Sequence, residues 1–217
     1  MTLKLIGTDL SPFARKAIIV AREKGIEFEH DPMVPLGASE EHKQLHPQGK
    51  IPVLLHDDRV IPDSSVIAEY LEALVPEPAL YPADPYLRAR ARWFEEFADS
   101  GLSQGALPYF SERVVNRIFM KQEPDEARIE DAATNILPPF FDYLERELGD
   151  DDYLVANRYS IADISVGTIL VNYTLGQGEV DAACWPKLAA YVARVFARPT
   201  FKELLEGHHA ALAAMTS

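Results

Sequence analysis

The chain has 217 residues and a formal net charge of −13, with 34 Asp and Glu against 21 Lys and Arg. That acidity works against binding nucleic acid or an anionic membrane surface, whose charges would repel it. Hydrophobic residues make up 47% and aromatic residues 10%, which suits a core large enough for one large or two small domains. The single cysteine, Cys184, excludes an intrachain disulfide framework and fits a reducing compartment. No apolar run reaches membrane-spanning length. Met1 to Ile6 lacks the apolar core of a secretory signal, so the expected location is the cytoplasm.

Leu3 to Ile6 reads as a strand, followed by a loop from Gly7 to Leu10. Ser11-Pro12 then opens a helix, since Ser is a favoured N-cap and Pro suits the first helical position. Phe13, Ala17 and Val20 follow at near-helical spacing, and Gly25 closes the segment. Glu27 to His30 predicts a second strand. Residues 31–49 are turn-rich, with Pro32, Pro35, Gly37, Pro47 and Gly49. Val53–His56 and Arg59–Ile61 read as strands joined at Asp57-Asp58. Ile67, Tyr70, Leu71 and Leu74 repeat as one face of an amphipathic helix. Prolines 76, 78, 82 and 85 mark a linker.

Beyond the linker the pattern is helical. Leu87, Ala91, Phe94 and Ala98 form one stripe; Leu137, Phe140, Phe141, Leu144 and Leu148 a second; Ile161, Ile164, Thr168, Val171 and Leu175 a third. Residues 186–197 and 200–214 are also helix-like. Gly101, Gly105 and Pro108 are expected to break or kink the first long helix. Pro138-Pro139 should do the same to the next. Ser160-Ile161-Ala162-Asp163 reads as a capping box for a buried helix. Cys184, beside Trp185, reads as a small core residue.

Two motifs suggest chemistry. Gly49-Lys50-Ile51-Pro52-Val53-Leu54 is a turn running into a strand, and a proline there cannot donate to a ladder. If the Ile51–Pro52 bond is cis, the Ile51 backbone turns outward and can pair with an extended peptide. Asp63-Ser64 precedes a helix, where Ser64 can take a carboxylate at the helix N-terminus. Together they outline a cradle for a small acidic peptide. An acidic protein must concentrate positive charge there, and Arg15, Lys16 and Lys50 are the candidates, with solvated surface as the other reading for all three.

These residues, with Ser11-Pro12-Phe13-Ala14-Arg15-Lys16 and Tyr159-Ser160-Ile161-Ala162-Asp163-Ile164-Ser165, follow the order and spacing of the cytosolic-type glutathione transferases. The chain resembles the serine-type, bacterial-like members over most of its length. The resemblance implies an α+β thioredoxin-like domain over 1–77, a linker over 78–85 and an all-α helical domain over 86–217. The order β-α-β-(α)-β-β-α fits the first of these. It also implies a homodimer, glutathione as co-substrate, and a role for the Ser160–Asp163 motif in folding.

By the same resemblance, Ser11 is the catalytic residue, donating to the glutathione thiolate. Ile51 supplies backbone hydrogen bonds and Pro52 is cis. Ser64 binds the γ-glutamyl carboxylate, and Asp63, where relatives carry Glu or Gln, holds the γ-glutamyl amino group. Lys50 pairs with the glycine carboxylate, and Phe13 walls the site. Tyr109, Phe110, Phe119 and Tyr173 are aromatic candidates for the second substrate, and Asp99 for reaching a neighbouring subunit. A thiol of pKa ~8.5 is only about 3% thiolate at neutral pH. Lowering it by about two units needs about 2.7 kcal/mol. One hydrogen bond to a charged acceptor supplies about 1.5–3 kcal/mol, so a single hydroxyl suffices. Capping its own helix is the competing use of the Ser11 hydroxyl.

The expected reaction is conjugation of the thiolate to a small electrophile. Glutathione-dependent isomerisation, peroxide reduction and a non-catalytic binding module are the alternatives. The Ser-Ser-Cys run of the isomerase class is absent near Ser11. The six histidines, His30, His42, His46, His56, His208 and His209, show no ligand spacing, so no metal is expected. Asp150-Asp151-Asp152 reads as a solvated loop.

Overall fold

The computed structural model describes residues 2–35 and 39–216. Met1 and Gly37, on which parts of the strand and turn readings fell, lie outside them. The chain divides into two compact units, Met1–Tyr81 and Pro82–Ser217.

The first unit runs β1 (Leu3–Ile6), α1 (Pro12–Glu23), β2 (Glu29–Asp31), α2 (Glu40–Leu45), β3 (Val53–His56), β4 (Arg59–Pro62) and α3 (Ser64–Leu74). Its four strands lie in the order β2-β1-β3-β4. β1 pairs in parallel with β2 and antiparallel with β3, and β3 forms a hairpin with β4. The parallel pair needs a crossover, which α1 provides. Asp57 turns the hairpin with a φ of 53°. Leu5, Val53 and Leu54 of the sheet and Ala17, Ile18 and Ile67 of the helices are fully buried, and α1 packs against α3. This is the expected thioredoxin-like arrangement. The second strand falls later than predicted, at Glu29–Asp31. A short α2 forms within the turn-rich stretch because Ser39 caps it, accepting from the His42 amide at 3.3 Å.

Residues 78–81 are tied down rather than acting as a loose tether. The ammonium of Lys24, at the end of α1, donates to the carbonyls of Val75 (2.8 Å) and Pro78 (3.0 Å). It also pairs with Glu72 of α3 at 2.5 Å. Glu72 in turn accepts from the Leu80 and Tyr81 amides, both at 3.2 Å. The division of the chain therefore follows Tyr81.

The second unit is helical: α4 (Pro85–Glu96), α5 (Ser103–Phe110), α6 (Glu126–Asp131), α7 (Leu137–Leu148), α8 (Ile161–Leu175), α9 (Pro186–Phe196) and α10 (Pro199–Thr216). π-helical turns at Phe97–Leu102, Ser111–Phe119 and Ala132–Ile136 join or extend these helices. Gly101 and Gly105 therefore do not break the first long helix. A Cβ on Gly101 would lie 2.9 Å from the Phe140 ring, and one on Gly105 would lie 2.7 Å from Leu137. The glycines allow close approach to the neighbouring helix. Pro138 and Pro139 fall in the first turn of α7, where a missing N–H costs least. The π-helical turn before them absorbs the change of register, so no gap opens.

Helix α8 is buried along nearly its whole length, not on one stripe, and packs against α4, α5 and α9. Its capping box forms. The Ser160 amide donates to Asp163 at 2.9 Å and the Ala162 amide to Ser160 Oγ at 3.3 Å. The Leu154 amide also donates to Asp163, at 3.1 Å. Burial raises the Asp163 carboxyl to about 6, against these hydrogen bonds. Cys184 corrects the core reading. It is exposed, on the loop before α9, and its thiol is raised by Asp181, whose carboxylate lies 3.4 Å away. Among the described residues no helix is long and apolar enough to cross a membrane.

Candidate functional site in the first unit

The β3–β4 hairpin brings the two halves of the cradle together. Ile51-Pro52 enters β3 and Asp63-Ser64 leaves β4. Val53 pairs with Pro62, and beyond that pair the Asp63 amide donates to the Pro52 carbonyl at 3.3 Å. The Ile51–Pro52 bond is cis. Neither the N–H nor the C=O of Ile51 is hydrogen-bonded among the described residues. The Ile51 side chain packs under the β1–α1 loop: a Cβ on Gly7 would lie 3.1 Å from Ile51 Cβ and 3.1 Å from Ala14 Cβ. Only glycine, at φ +142°, allows the loop that carries Ser11 to come so close.

Asp63 adopts φ 77° and ψ 136°, a conformation that side-chain-bearing residues rarely take. It is held there by its own amide bond and by Oδ1, which accepts from the Ser65 amide at 2.9 Å and the Val66 amide at 3.3 Å. One carboxylate oxygen is thus committed to capping α3. Ser64 begins α3 and is 3% exposed. Among the described residues its N–H and hydroxyl have no hydrogen-bond partner. They stand at a helix N-terminus, where N–H groups and the helix dipole favour an anion.

Lys16 adds charge at the same place. It is fully buried, and its ammonium donates to Ser65 Oγ at 2.9 Å, linking α1 to the first turn of α3. Arg15 is also fully buried, donating to the Leu10 carbonyl at 3.3 Å. Burial lowers its guanidinium to about 9, with Asp9 opposing, which leaves it charged at neutral pH. The solvated-surface reading of both residues is therefore replaced by two buried cations on α1. Lys50 is exposed and its ammonium makes no ion pair among the described residues. Phe13 is half-buried in the first turn of α1.

Ser11 caps α1, but weakly: its Oγ accepts from the Ala14 amide at 3.5 Å. The cap uses an oxygen lone pair, whereas stabilising a thiolate uses the hydroxyl proton, and a hydroxyl offers both. The two roles do not compete, contrary to the sequence reading. No acceptor for that proton occurs among the described residues.

The other aromatic candidates are placed in the second unit. Tyr109 and Tyr173 are buried edge to face, ring centroids 4.7 Å apart, and Tyr173 donates to the Glu179 carbonyl at 3.0 Å. Phe110 is half-buried and Phe119 exposed. Asp99 lies half-buried in the first π-helical turn, its carbonyl accepting from Ser103 at 2.7 Å. His42, which sequence reasoning left without a role, donates across the α2–β3 loop to the Lys50 carbonyl at 2.8 Å. Its position on a short helix inside a turn-rich stretch gave no signal. No group of three or more His, Cys, Asp or Glu among the described residues is placed to hold a metal ion.

Residues 5–79 match the glutathione S-transferase N-terminal domain and residues 110–208 the glutathione S-transferase C-terminal domain. The chain belongs to the glutathione S-transferase family. It is 30% identical to protein LigF of Sphingobium sp. strain SYK-6, over 95% of this chain and 94% of LigF. It is 32% identical to the GST-like protein YibF of Escherichia coli K12, over 92% and 96%. Its fold superposes on a glutathione S-transferase from Rhodospirillum rubrum F11 with a TM-score of 0.84 at 26% identity, covering 94% and 91% of the two chains. The crystal structure of beta-etherase LigF gives 0.76 at 28%, covering 95% and 100%.

Proposed function

We propose that the protein is a serine-type glutathione transferase that joins the glutathione sulfur to a small electrophile. The Ile51 backbone, set beside Ser64 at a helix N-terminus, both without a hydrogen-bond partner among the described residues, carries this reading. Glutathione lies extended along Ile51, its cysteinyl unit taking the N–H and C=O. The γ-glutamyl carboxylate meets the Ser64 N–H and hydroxyl, with Lys16 adding positive charge behind them. The Asp63 oxygen not used in capping receives the γ-glutamyl ammonium. Lys50 pairs with the glycine carboxylate, and Phe13 covers one side.

The thiol loses its proton to solvent, and the Ser11 hydroxyl donates to the resulting thiolate. Sulfur then forms a bond to the electrophilic carbon while the leaving group departs with its electrons. The likeness to beta-etherase LigF supports a second, narrower reading, in which that carbon bears an ether oxygen. There the C–O bond breaks as C–S forms, and the oxyanion takes a proton from solvent. A cytoplasmic homodimer belongs to the same proposal, and sedimentation of the purified protein tests the dimer. Calorimetric titration with glutathione, followed by turnover of an aryl halide and of a β-aryl ether, tests the activity. Binding without turnover of any electrophile would favour a non-catalytic module, and no binding would end the proposal.

A further inference from the structure

We propose that His42 is a positioning residue for glutathione, holding the Lys50–Ile51 peptide so that the Ile51 N–H is aimed at the ligand. The inference rests on the reading of Ile51 as the peptide-binding edge.

The bond from His42 Nε2 to the Lys50 carbonyl is 2.8 Å long, and His42 is 7% exposed. A carbonyl oxygen only accepts, so Nε2 carries the proton in this contact. The Lys50 carbonyl and the Ile51 N–H belong to one planar peptide unit. That unit is trans, since the cis bonds among the described residues are Ile51–Pro52 and Glu77–Pro78. In a trans unit the N–H points opposite to the C=O. Fixing the carbonyl toward α2 therefore aims the Ile51 N–H away from α2. That N–H has no partner among the described residues. Rotation of the unit about its flanking Cα atoms would swing both groups together, and the imidazole resists it.

His42 is itself held. Its amide donates to Ser39 Oγ at 3.3 Å, its carbonyl accepts from the His46 amide at 2.9 Å, and the His46 carbonyl accepts from the Gly49 amide at 2.7 Å. This run of bonds encloses the loop that ends at Lys50. The imidazole is thus a buried donor on a fixed backbone, suited to setting the direction of a peptide. His30 offers an internal contrast. It donates to the Gly7 carbonyl at 2.9 Å but is exposed, and Gly7 is already fixed by its own amide bond to the Asp31 carbonyl at 2.8 Å. Water can replace the His30 bond; it replaces the buried His42 bond less well.

The test is calorimetric titration of full-length protein with glutathione. His42→Phe keeps the ring volume and removes the donor, and should weaken binding about 5- to 10-fold, the worth of one ordinary net hydrogen bond. His42→Gln keeps an amide donor and should restore affinity to within about 2-fold of wild type, as should His30→Ala. The rate at saturating glutathione should stay near wild type in each, so that the loss appears in binding. If His42→Phe does not fold, His42→Ala takes its place. Wild-type affinity in the donorless variant, or equal weakening in Phe and Gln variants, overturns the inference. If Ser64→Ala weakens binding while the donorless variant does not, the cradle stands and only the role of His42 fails. If wild type takes up no glutathione, the cradle reading fails and His42 with it.

Discussion

Ser11→Ala removes one hydroxyl from the entry to α1 and separates two effects of different size. The first is on the fold. Losing a serine N-cap costs about 0.5–2 kcal/mol, and a cap bond of 3.5 Å belongs at the low end. For a chain of this length, about 0.5 kcal/mol lowers Tm by about 1–2 °C. The second effect is on the thiolate. A hydrogen bond to a charged acceptor is worth about 1.5–3 kcal/mol, or about 1–2 pKa units of the bound thiol. If the bound thiol titrates near ~6.5 in wild type, about three quarters of it is thiolate at pH 7. Raising that pKa by about 1–2 units cuts the thiolate fraction about 3- to 25-fold. The variant should therefore be slow at pH 7, recover most of its rate above the shifted pKa, and bind glutathione almost as well. Conjugation rates at saturating glutathione across pH 5.5 to ~10 measure this directly. An unchanged pH profile, or a uniform loss at every pH, would move the activating role away from Ser11.

Ser64→Ala should weaken glutathione binding by about 10- to 100-fold, the loss of one charge-assisted hydrogen bond, in calorimetry. Glu72→Ala leaves the buried Lys24 ammonium without its counter-charge and should destabilise the protein by about 3–5 kcal/mol in chemical denaturation. Asp163 has its folded pKa raised from 3.8 to about 6 by burial. Its contribution is then fully present below 3.8 and lost as pH rises to about 6, a fall of about 3 kcal/mol from this group. Asp163→Asn does not titrate, so stability of wild type minus variant should decline by about that amount across the window. A difference that grows with pH would show the hydrogen bonds to the carboxylate outweighing its desolvation.

Local rules account for much that was legible. Ser11-Pro12, Ser160-Asp163 and the Asp57-Asp58 turn act over three or four residues, and each forms as read. The two-part architecture also follows from pattern, since strand-like alternation stops at the proline cluster and helical periodicity takes over. The failures involve partners far away in sequence. Gly101 and Gly105 read as sites of a break or kink; the helix runs on there through a π-helical turn, and Phe140 and Leu137 require the small size of both glycines. Cys184 reads as core beside an aromatic residue, yet its loop faces solvent. Helix α8 shows a stripe in sequence but is enclosed by three other helices.

The candidate site divides along the same line. By itself the sequence determined which residue types stand at the mouths of two helices and beside a proline-led strand, because capping, turn and proline preferences act over a few bonds. Tertiary structure alone decided which donors and acceptors remain unspent. Only the hairpin ladder places Pro52 against Asp63. Only the burial of α1 makes Lys16 a partner of the α3 terminus, and only the seating of α2 turns His42 onto the Lys50 carbonyl. Whether a polar group is available to a ligand depends on what else the folded chain sets within about 3 Å of it.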